Sequence, residues 1–443
     1  MTSADWPKGP RVHVANVNVP EALISRDAPA TVDKEGLKKV DLVIEEGKIA
    51  AICPAGSAPV GAVFEADSGQ AWPMFADLHT HLDKGHIIPR ATNLAGTLDA
   101  ARSSTRVDTM TRWRAEDVEA RFEFALQTAY AHGTSAIRTH IDCFVEGQAA
   151  TSFGVFQRLR ERWAGRIELQ AVSLVGPELY HDVANAAVID IVSDAGGKLG
   201  GIVYRLSENE DPAILEGRLE HLFALAESRG LDVDLHVDEN GSPASTTLSQ
   251  IASLVLRTKF KGNVICGHCC SLSVINDVIA VRTIELVREA GITIVSLPLV
   301  NQFLQGRRPG ATPRWRGIPL LRELQSAGVT VALASDNCRD PYHAFGDHDL
   351  LEVLSGGIRM GHLEGELGKW TAAVTRTPLH AMGLTQAGIL KPGAAADLMI
   401  FRGRTFSEMF ARRQGDRVII RNGHAIDTTP PDFRTLDYLM SSA

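Results

Sequence analysis

Cysteine is scarce, with six in a chain of 443 residues, which excludes the disulfide-stapled framework of a small secreted domain. The thiols are expected to be reduced. Three of them fall in VICGHCC as Cys266, Cys269 and Cys270, but no second pair stands at the spacing of a zinc finger. Basic charge is also short: 45 Lys and Arg against 53 Asp and Glu give a formal net charge of -8. With no long Lys/Arg run either, nucleic acid polymers are not expected partners. No stretch of eighteen apolar residues occurs, and the opening MTSADWPKGPRVHV has no basic segment followed by an apolar one. Neither a membrane span nor a leader is expected, and a cytoplasmic location follows as the expectation.

What the chain does have is the composition of a globular protein, 44% hydrophobic and 22% charged. From Phe75 onward, short apolar runs bounded by turn residues recur: MFADLHTH, SAIRTHID, IELQAVSLV, GGIVYRL, DVDLHV, NVICGH, ITIVSLP and VTVALASD. After the first interval they return every thirty to forty residues or so, the spacing of one strand plus one returning helix. Amphipathic stretches lie between them, such as Arg114 to Gly133 and Ala213 to Gly230, each closed by glycine as a helix C-terminus should be. Eight such pairs predict an α/β fold, a (β/α)8 TIM barrel. The first interval is longer, and KGHIIPRATNLAGTLDAARSSTRVDT reads as a loop able to cover a site.

Before the barrel, RVHVANVNVP and VDLVIEEGKIAAICPAG read as strands, as do ADLMIF and RVIIRNGHAID after it. The expected organisation is a small β-sandwich built from both termini (residues 1–69 and 391–443) around a barrel over 70–390. Two separate β extensions are the alternative, disfavoured because they would leave strand edges exposed.

Ligand-type residues gather at the C-terminal ends of the barrel runs, the face where barrel enzymes carry their sites. His79 and His81 close the first run, His236 and Glu239 the fifth, His268 the sixth and Asp336 the eighth. Strand side chains alternate, so His79 and His81 point the same way and both can reach one ion. Imidazole nitrogens with a carboxylate suit a borderline divalent metal such as zinc or iron. His140 and Asp142 also end a run and either line the pocket or support it. Lys84 and His86 are pocket groups or solvated loop residues, whereas His132, His221 and His380 sit in helical pattern and read as structural.

These residues resemble the amidohydrolase superfamily, specifically its cytosine-deaminase-like branch. HTHLDKG, DLHVDE, the GH after the sixth run and the ASDN after the eighth match its metal signature. GILKPGAAADLMIF resembles the return into that superfamily's small β-sandwich. The likeness extends through Val300 to Pro319 and Asp340 to Leu354, and so over nearly the whole chain. The resemblance implies His79, His81, His236 and Asp336 as metal ligands, Glu239 as proton shuttle and His268 as the histidine beside the reacting water. A bridging lysine at the end of the fourth strand is replaced by VYRLSEN, with Arg205, so one divalent ion, Zn2+ or Fe2+, is expected.

Two departures bear on the substrate. Gly176 stands about where cytosine deaminases carry a glutamine, and Asn337 follows the metal aspartate where they carry a second carboxylate. An amide both donates and accepts, so cytosine is no better supported than a wider or differently polarised ring such as a pterin, isocytosine or triazine. Asn337, Gly176 and Lys84 are the expected substrate contacts. The expected reaction is hydrolytic deamination of an aminated N-heterocycle by hydroxide generated at the metal, with Glu239, His268 and Asp336 catalytic. The rival enzyme reading is a cyclic amide or triazine amidohydrolase, and the rival of another kind is an inactive barrel scaffold. A small heterocycle is the expected partner, and the resemblance is compatible with a homo-oligomer.

Overall fold

The computed structural model describes residues 3–181, 186–204, 211–308 and 310–441. Arg205, the residue in place of the bridging lysine, lies outside them. Sixteen strands are described in chain order. The first five are β1 (Arg11–Pro20), β2 (Leu37–Glu45), β3 (Lys48–Pro54), β4 (Ala62–Glu65) and β5 (Gln70–Pro73). The next eight are β6 (Phe75–Thr80), β7 (Thr134–Asp142), β8 (Glu168–Leu174), β9 (Leu199–Val203), β10 (Val233–Val237), β11 (Val264–His268), β12 (Thr293–Ser296) and β13 (Val331–Leu333). The last three are β14 (Leu398–Phe401), β15 (Val418–Arg421) and β16 (His424–Ala425).

The eight predicted runs are β6 to β13. They form a three-stranded sheet, β6-β7-β8, and a parallel five-stranded one, β13-β12-β11-β10-β9. Parallel bridges join the free edges, Thr80 to Asp336 between the ends of β6 and β13, and Val172 to Lys198 beside β9. The ring is therefore closed, which removes every edge. Strands such as β6, β10 and β11 are buried at every residue, as covered parallel strands must be.

Helices return the chain between the strands, among them Ala115–Ala131, Gln148–Trp163, Pro212–Arg229, Thr247–Thr258, Asp277–Glu289 and Pro298–Leu304. Pro212–Arg229 shows how local sequence sets the ends. The Asp211 side chain accepts from Ala213 N–H at the start, and Gly230 ends it in the left-handed region at φ 64°.

The expected loop after the first strand differs from the structure. From Leu98 to Arg112 it is a helix, opened by the Thr97 hydroxyl accepting from Ala100 N–H at 3.2 Å. Its buried side carries Asp108, which accepts from Arg90 and from the Trp113 indole at 2.8 Å. These polar partners take the place of an apolar stripe, which is why no helical period was visible.

The terminal strands form one sheet, ordered β16-β15-β14-β5-β1-β2-β3, with β4 paired to β1. Antiparallel pairing of Met399 with Trp72 and Leu398 with Pro73 brings the C-terminal strands onto the N-terminal ones, so the alternative of two separate extensions does not hold. Trp72 and Phe401 meet edge to face at 5.3 Å in the core beside this sheet. The chain divides into two compact units. One comprises Met1–Ala76, Gln127–Ala136 and Asp349–Pro430, the other Asp77–Leu126, Ile137–His348 and Pro431–Ala443.

Candidate metal centre and active site

His79 and His81 extend from the end of β6 and just beyond it, His236 from β10, His268 from β11 and Asp336 from just past β13. The chain is shaped to aim them. His268 and Asp336 hold φ of 66° and 62°, a left-handed backbone that non-glycine residues adopt at a cost and that turns the side chain away from the strand pleat. Asp336 N–H donates to the His79 carbonyl at 2.9 Å, and the Thr80 hydroxyl donates to the Asp336 carbonyl at 2.8 Å. Two of the predicted ligands are thus fixed to each other by backbone. Gly267 is required by close approach, since a Cβ there would meet the His79 ring at 2.9 Å.

The imidazoles converge. His236 Nε2 lies 3.2 Å from His79 Nε2 and 3.2 Å from His81 Nε2. Asp336 Oδ1 lies 3.1 Å from His81 Nε2 and 3.8 Å from His79 Nε2. His79, His236, His268 and Asp336 offer ligand atoms within 4.8 Å of one another. Two nitrogens sharing one tetrahedral ion at about 2.0–2.1 Å stand about 3.3–3.4 Å apart, which is close to the spacing observed. Both Asp336 oxygens are buried without a hydrogen-bond donor, and Nδ1 of His79, His81 and His236 is buried without a partner. The donor set fits a divalent cation, and the four predicted ligands are brought together.

Electrostatics agree with that fit. Burial first, and then the neighbouring imidazoles, with Lys84 adding to the effect on His79 and His81, hold His79, His81 and His236 well below the ordinary histidine range. They are therefore neutral, the form that ligates. Burial and then Glu239 push the Asp336 carboxyl well up, with Lys84 opposing. A carboxylate so raised lacks a counter-cation, and a metal supplies one.

His268 and Glu239 flank the cluster. The Asn301 amide donates to His268 Nδ1 at 2.9 Å, which leaves the ring proton on Nε2, an atom with no other partner. Glu239 Oε1 is 3.8 Å from His268 Nδ1, and the Gln305 amide donates to the Glu239 carbonyl. Asn301 and Gln305 lie on or just after the helix Pro298–Leu304, and sequence reasoning assigned neither a role. The stretch VNQFLQGRRPG carried them, without a period or spacing to single them out.

Lys84 is no solvated loop residue. It is 3% exposed, pairs with Asp142 Oδ1 at 3.0 Å and lies over the Tyr342 ring at 4.7 Å. Burial would lower its pKa, yet Asp142, Tyr342, Asp340 and Asp83 hold it above the ordinary lysine value. The segment carrying it is braced by Arg121, which donates to the Asp83 carbonyl at 2.6 Å and the Gly85 carbonyl at 3.0 Å.

Asp142 and Tyr342 also line a cavity of about 280 Å³, together with Gly176, Arg102, Tyr204 and Phe144. Burial opposes the charge on Arg102, but Tyr204, Glu239 and Tyr342 raise its pKa. Of the expected substrate contacts, Gly176 lines the cavity and Lys84 abuts it. Asn337 instead donates to Asp340 Oδ2 at 2.6 Å.

His140 supports rather than lines. Its Nε2 is 3.3 Å from Asp234 Oδ1, and its ring lies 3.9 Å from the His79 ring. Arg138 donates to the other Asp234 oxygen at 2.9 Å, so each Asp234 oxygen has a partner from β7. His132 follows a helix end, while His221 and His380 lie within helices.

The amidohydrolase family model matches residues 156–421, more than half of the chain. The chain belongs to the amidohydrolase family. A curated pterin deaminase from Rhizobium rhizogenes is 44% identical over 439 residues, spanning 98% of each chain. An N-isopropylammelide isopropyl amidohydrolase from Pseudomonas sp. is 25% identical over 368 residues, covering 80% of this chain and 85% of that one. In fold, this amidohydrolase superposes on a 5-methylcytosine deaminase from Klebsiella pneumoniae with a TM-score of 0.76 at 23% identity, over 94% of this chain and 97% of that one. Amidohydrolases of this kind are metal-dependent, which matches the donor set at the barrel mouth.

Proposed function

We propose that the protein releases ammonia from a pterin-like ring at a single zinc or ferrous ion held by His79, His81, His236 and Asp336. The coarser activity is plain: the enzyme is a hydrolytic deaminase of nitrogen heterocycles. The observation that carries the finer reading is the convergence of three neutral imidazoles within 3.2 Å steps on a carboxylate whose two oxygens have no donor. A bound divalent cation supplies Lewis acidity there, making water a competent nucleophile near neutral pH.

The chain's own residues manage the protons. Asp336, with no donor on either oxygen, accepts one from the attacking water as that water adds to the amine-bearing carbon. Glu239, buried beside His268, delivers a proton to the ring nitrogen next to that carbon. His268 Nε2–H, oriented by Asn301, donates to the oxygen that gains charge. When the tetrahedral carbon collapses, Glu239 takes up the proton of the new hydroxyl as the C=O bond forms and passes it to the amine. The C–N bond breaks, ammonia leaves, and the proton held by Asp336 returns to Glu239. Lys84 and Asp142 border the cavity and offer a donor and an acceptor to a ring edge, as a pteridine with amide and amine groups requires. Gly176 lines the same wall, where its missing Cβ makes way for the Glu178 carboxylate, a further acceptor at the cavity.

The 44% relative favours a pterin over cytosine. The 25% relative favours a second reading, loss of an alkylamine from a triazine. The proposal also takes 1–69 and 391–443 as a small β-sandwich around a barrel over 70–390, in a cytoplasmic homo-oligomer. Among the described residues no helix is long and apolar enough to cross a membrane.

An ammonia-release screen over pterins, aminated pyrimidines, purines and triazines, with zinc- or iron-loaded protein, tests the reading. Turnover of a pterin with one ammonia per ring is expected. Ring opening without ammonia, alkylamine release from a triazine alone, or intact protein that takes up no metal would each overturn it.

A further inference from the structure

A second group of ligand-type side chains lies in the same unit. His86, Cys338 and His348 bring two imidazoles and a thiol together with ligand atoms within 4.8 Å of one another, the limit that also encloses the barrel-mouth group. All three are at most 3% exposed. His86 follows β6, while Cys338 and His348 follow β13. The two segments are laced by backbone hydrogen bonds, His86 N–H to the Cys338 carbonyl at 3.0 Å and Ile88 N–H to the Arg339 carbonyl at 2.9 Å.

His86 is the telling residue. Neither of its ring nitrogens has a hydrogen-bond partner. Its ring packs against Phe124 at 4.8 Å, His348 at 5.6 Å and Phe433 at 6.4 Å. An imidazole among aromatic faces packs no better than phenylalanine would, and it buries two polar atoms that need a partner. A metal ion is such a partner. Burial first, and then Asp347 and Asp340, push the Cys338 thiol well up, with the His348 backbone N–H opposing, so the sulfur ionises only with a cation beside it. The charged surroundings are mixed: Arg121 and Arg339 bear on His86, whereas Asp347 and Asp340 bear on Cys338. A cation there needs the anionic sulfur to offset the two arginines.

We propose that His86, Cys338 and His348 form a second site for a zinc-class divalent cation, separate from the barrel-mouth cluster. One sulfur with two imidazole nitrogens is a donor set for a borderline-soft ion, with a water in the fourth place. On binding, the Cys338 S–H bond breaks, its proton passes to solvent and the sulfur bonds the ion. The ion clips the segment after β6, which carries Lys84, to the segment after β13, which carries Asp336 and Asn337.

The full-length protein exchanged into cobalt(II) tests this with a readout that the barrel-mouth cluster cannot give, because that cluster contains no thiol. Two cobalt equivalents per chain are expected, with a near-ultraviolet thiolate-to-cobalt charge-transfer band that grows with only one of them. Cys338→Ser and, separately, His86→Phe should each lose the band and drop from two equivalents to one while still releasing ammonia. The proposal is overturned if wild-type protein takes up one equivalent and shows no thiolate band. It is equally overturned if the band persists in Cys338→Ser, which would place the ion on another of the buried thiols.

Discussion

Replacing Asn301 isolates the part of the site that chemistry-bearing residue types alone do not reveal. Its amide donates to His268 Nδ1 at 2.9 Å, and both residues are at most 1% exposed. Removing one partner of such a bond leaves the other unsatisfied, a penalty of about 1–3 kcal/mol. Here the penalty falls on the tautomer with its proton on Nε2, the form that donates to the reacting oxygen. At about 1.4 kcal/mol per tenfold in rate, kcat should fall about 5- to 150-fold. KM should change little, because the contact forms where charge develops rather than where the ring binds. Asn301→Ala also opens a cavity, so Asn301→Leu is the companion variant that keeps the volume and loses the donor. Both are assayed by ammonia release at matched metal content. If Asn301→Leu, fully metallated, keeps kcat within twofold of wild type, the tautomer argument is wrong. A rise in KM at unchanged kcat would instead make Asn301 a substrate contact.

Glu239→Gln should retain its metal yet lose about 10²- to 10⁴-fold in kcat, the usual effect of deleting a general acid or base; a fully active variant would remove Glu239 from the proton path. Chelation should abolish ammonia release, and added zinc or ferrous iron should restore it; activity that survives in protein shown by elemental analysis to be metal-free counts against the site. Lys84→Met leaves buried Asp142 without its 3.0 Å partner and should cost about 3–5 kcal/mol in chemical denaturation. The double variant Lys84→Met/Asp142→Leu should recover much of that loss, and strictly additive losses would refute the pairing. Asp349 supplies the pH-dependent case. Burial alone would raise its carboxyl, but Arg417, whose Nη1 donates to it at 2.9 Å, holds it below the ordinary value of 3.8. Its folded pKa is depressed, so its contribution, on the order of 2 kcal/mol, is present above about pH 4 and lost as pH falls through the folded value. Wild type should therefore outlast Asp349→Asn in thermal unfolding at pH 7, with the gap closing below pH 4; a gap independent of pH would assign the effect to packing.

The barrel was legible because two signals coincide in it. A strand covered on both faces has to be apolar along its length, and a site at the barrel mouth has to place its polar residues where those runs stop. In VDLHV, residues Val233 to Val237, the single imidazole is at once the end of a strand and a ligand-type residue. The same logic could not decide what His140 does, because it too ends a run. That question turns on Asp234, an interior residue of β10 whose two oxygens are taken by Arg138 and His140 from β7. The pairing depends on which strands face each other across the barrel, and no spacing along the chain encodes it.

The helix Leu98–Arg112 escaped for a different reason. Its buried side is Ala101, Thr105, Asp108 and Thr109, with alanine the one apolar residue among them, so it carries no apolar stripe. Only Thr97 at its cap marked where it begins. Asn301 escaped because nothing about an asparagine in VNQF distinguishes a residue that orients a histidine from one that faces water. The readable residues are those whose chemistry is rare at their position. The unreadable ones are common residues made important by a neighbour, and the two Asn301 variants measure how much of the catalysis depends on such a neighbour.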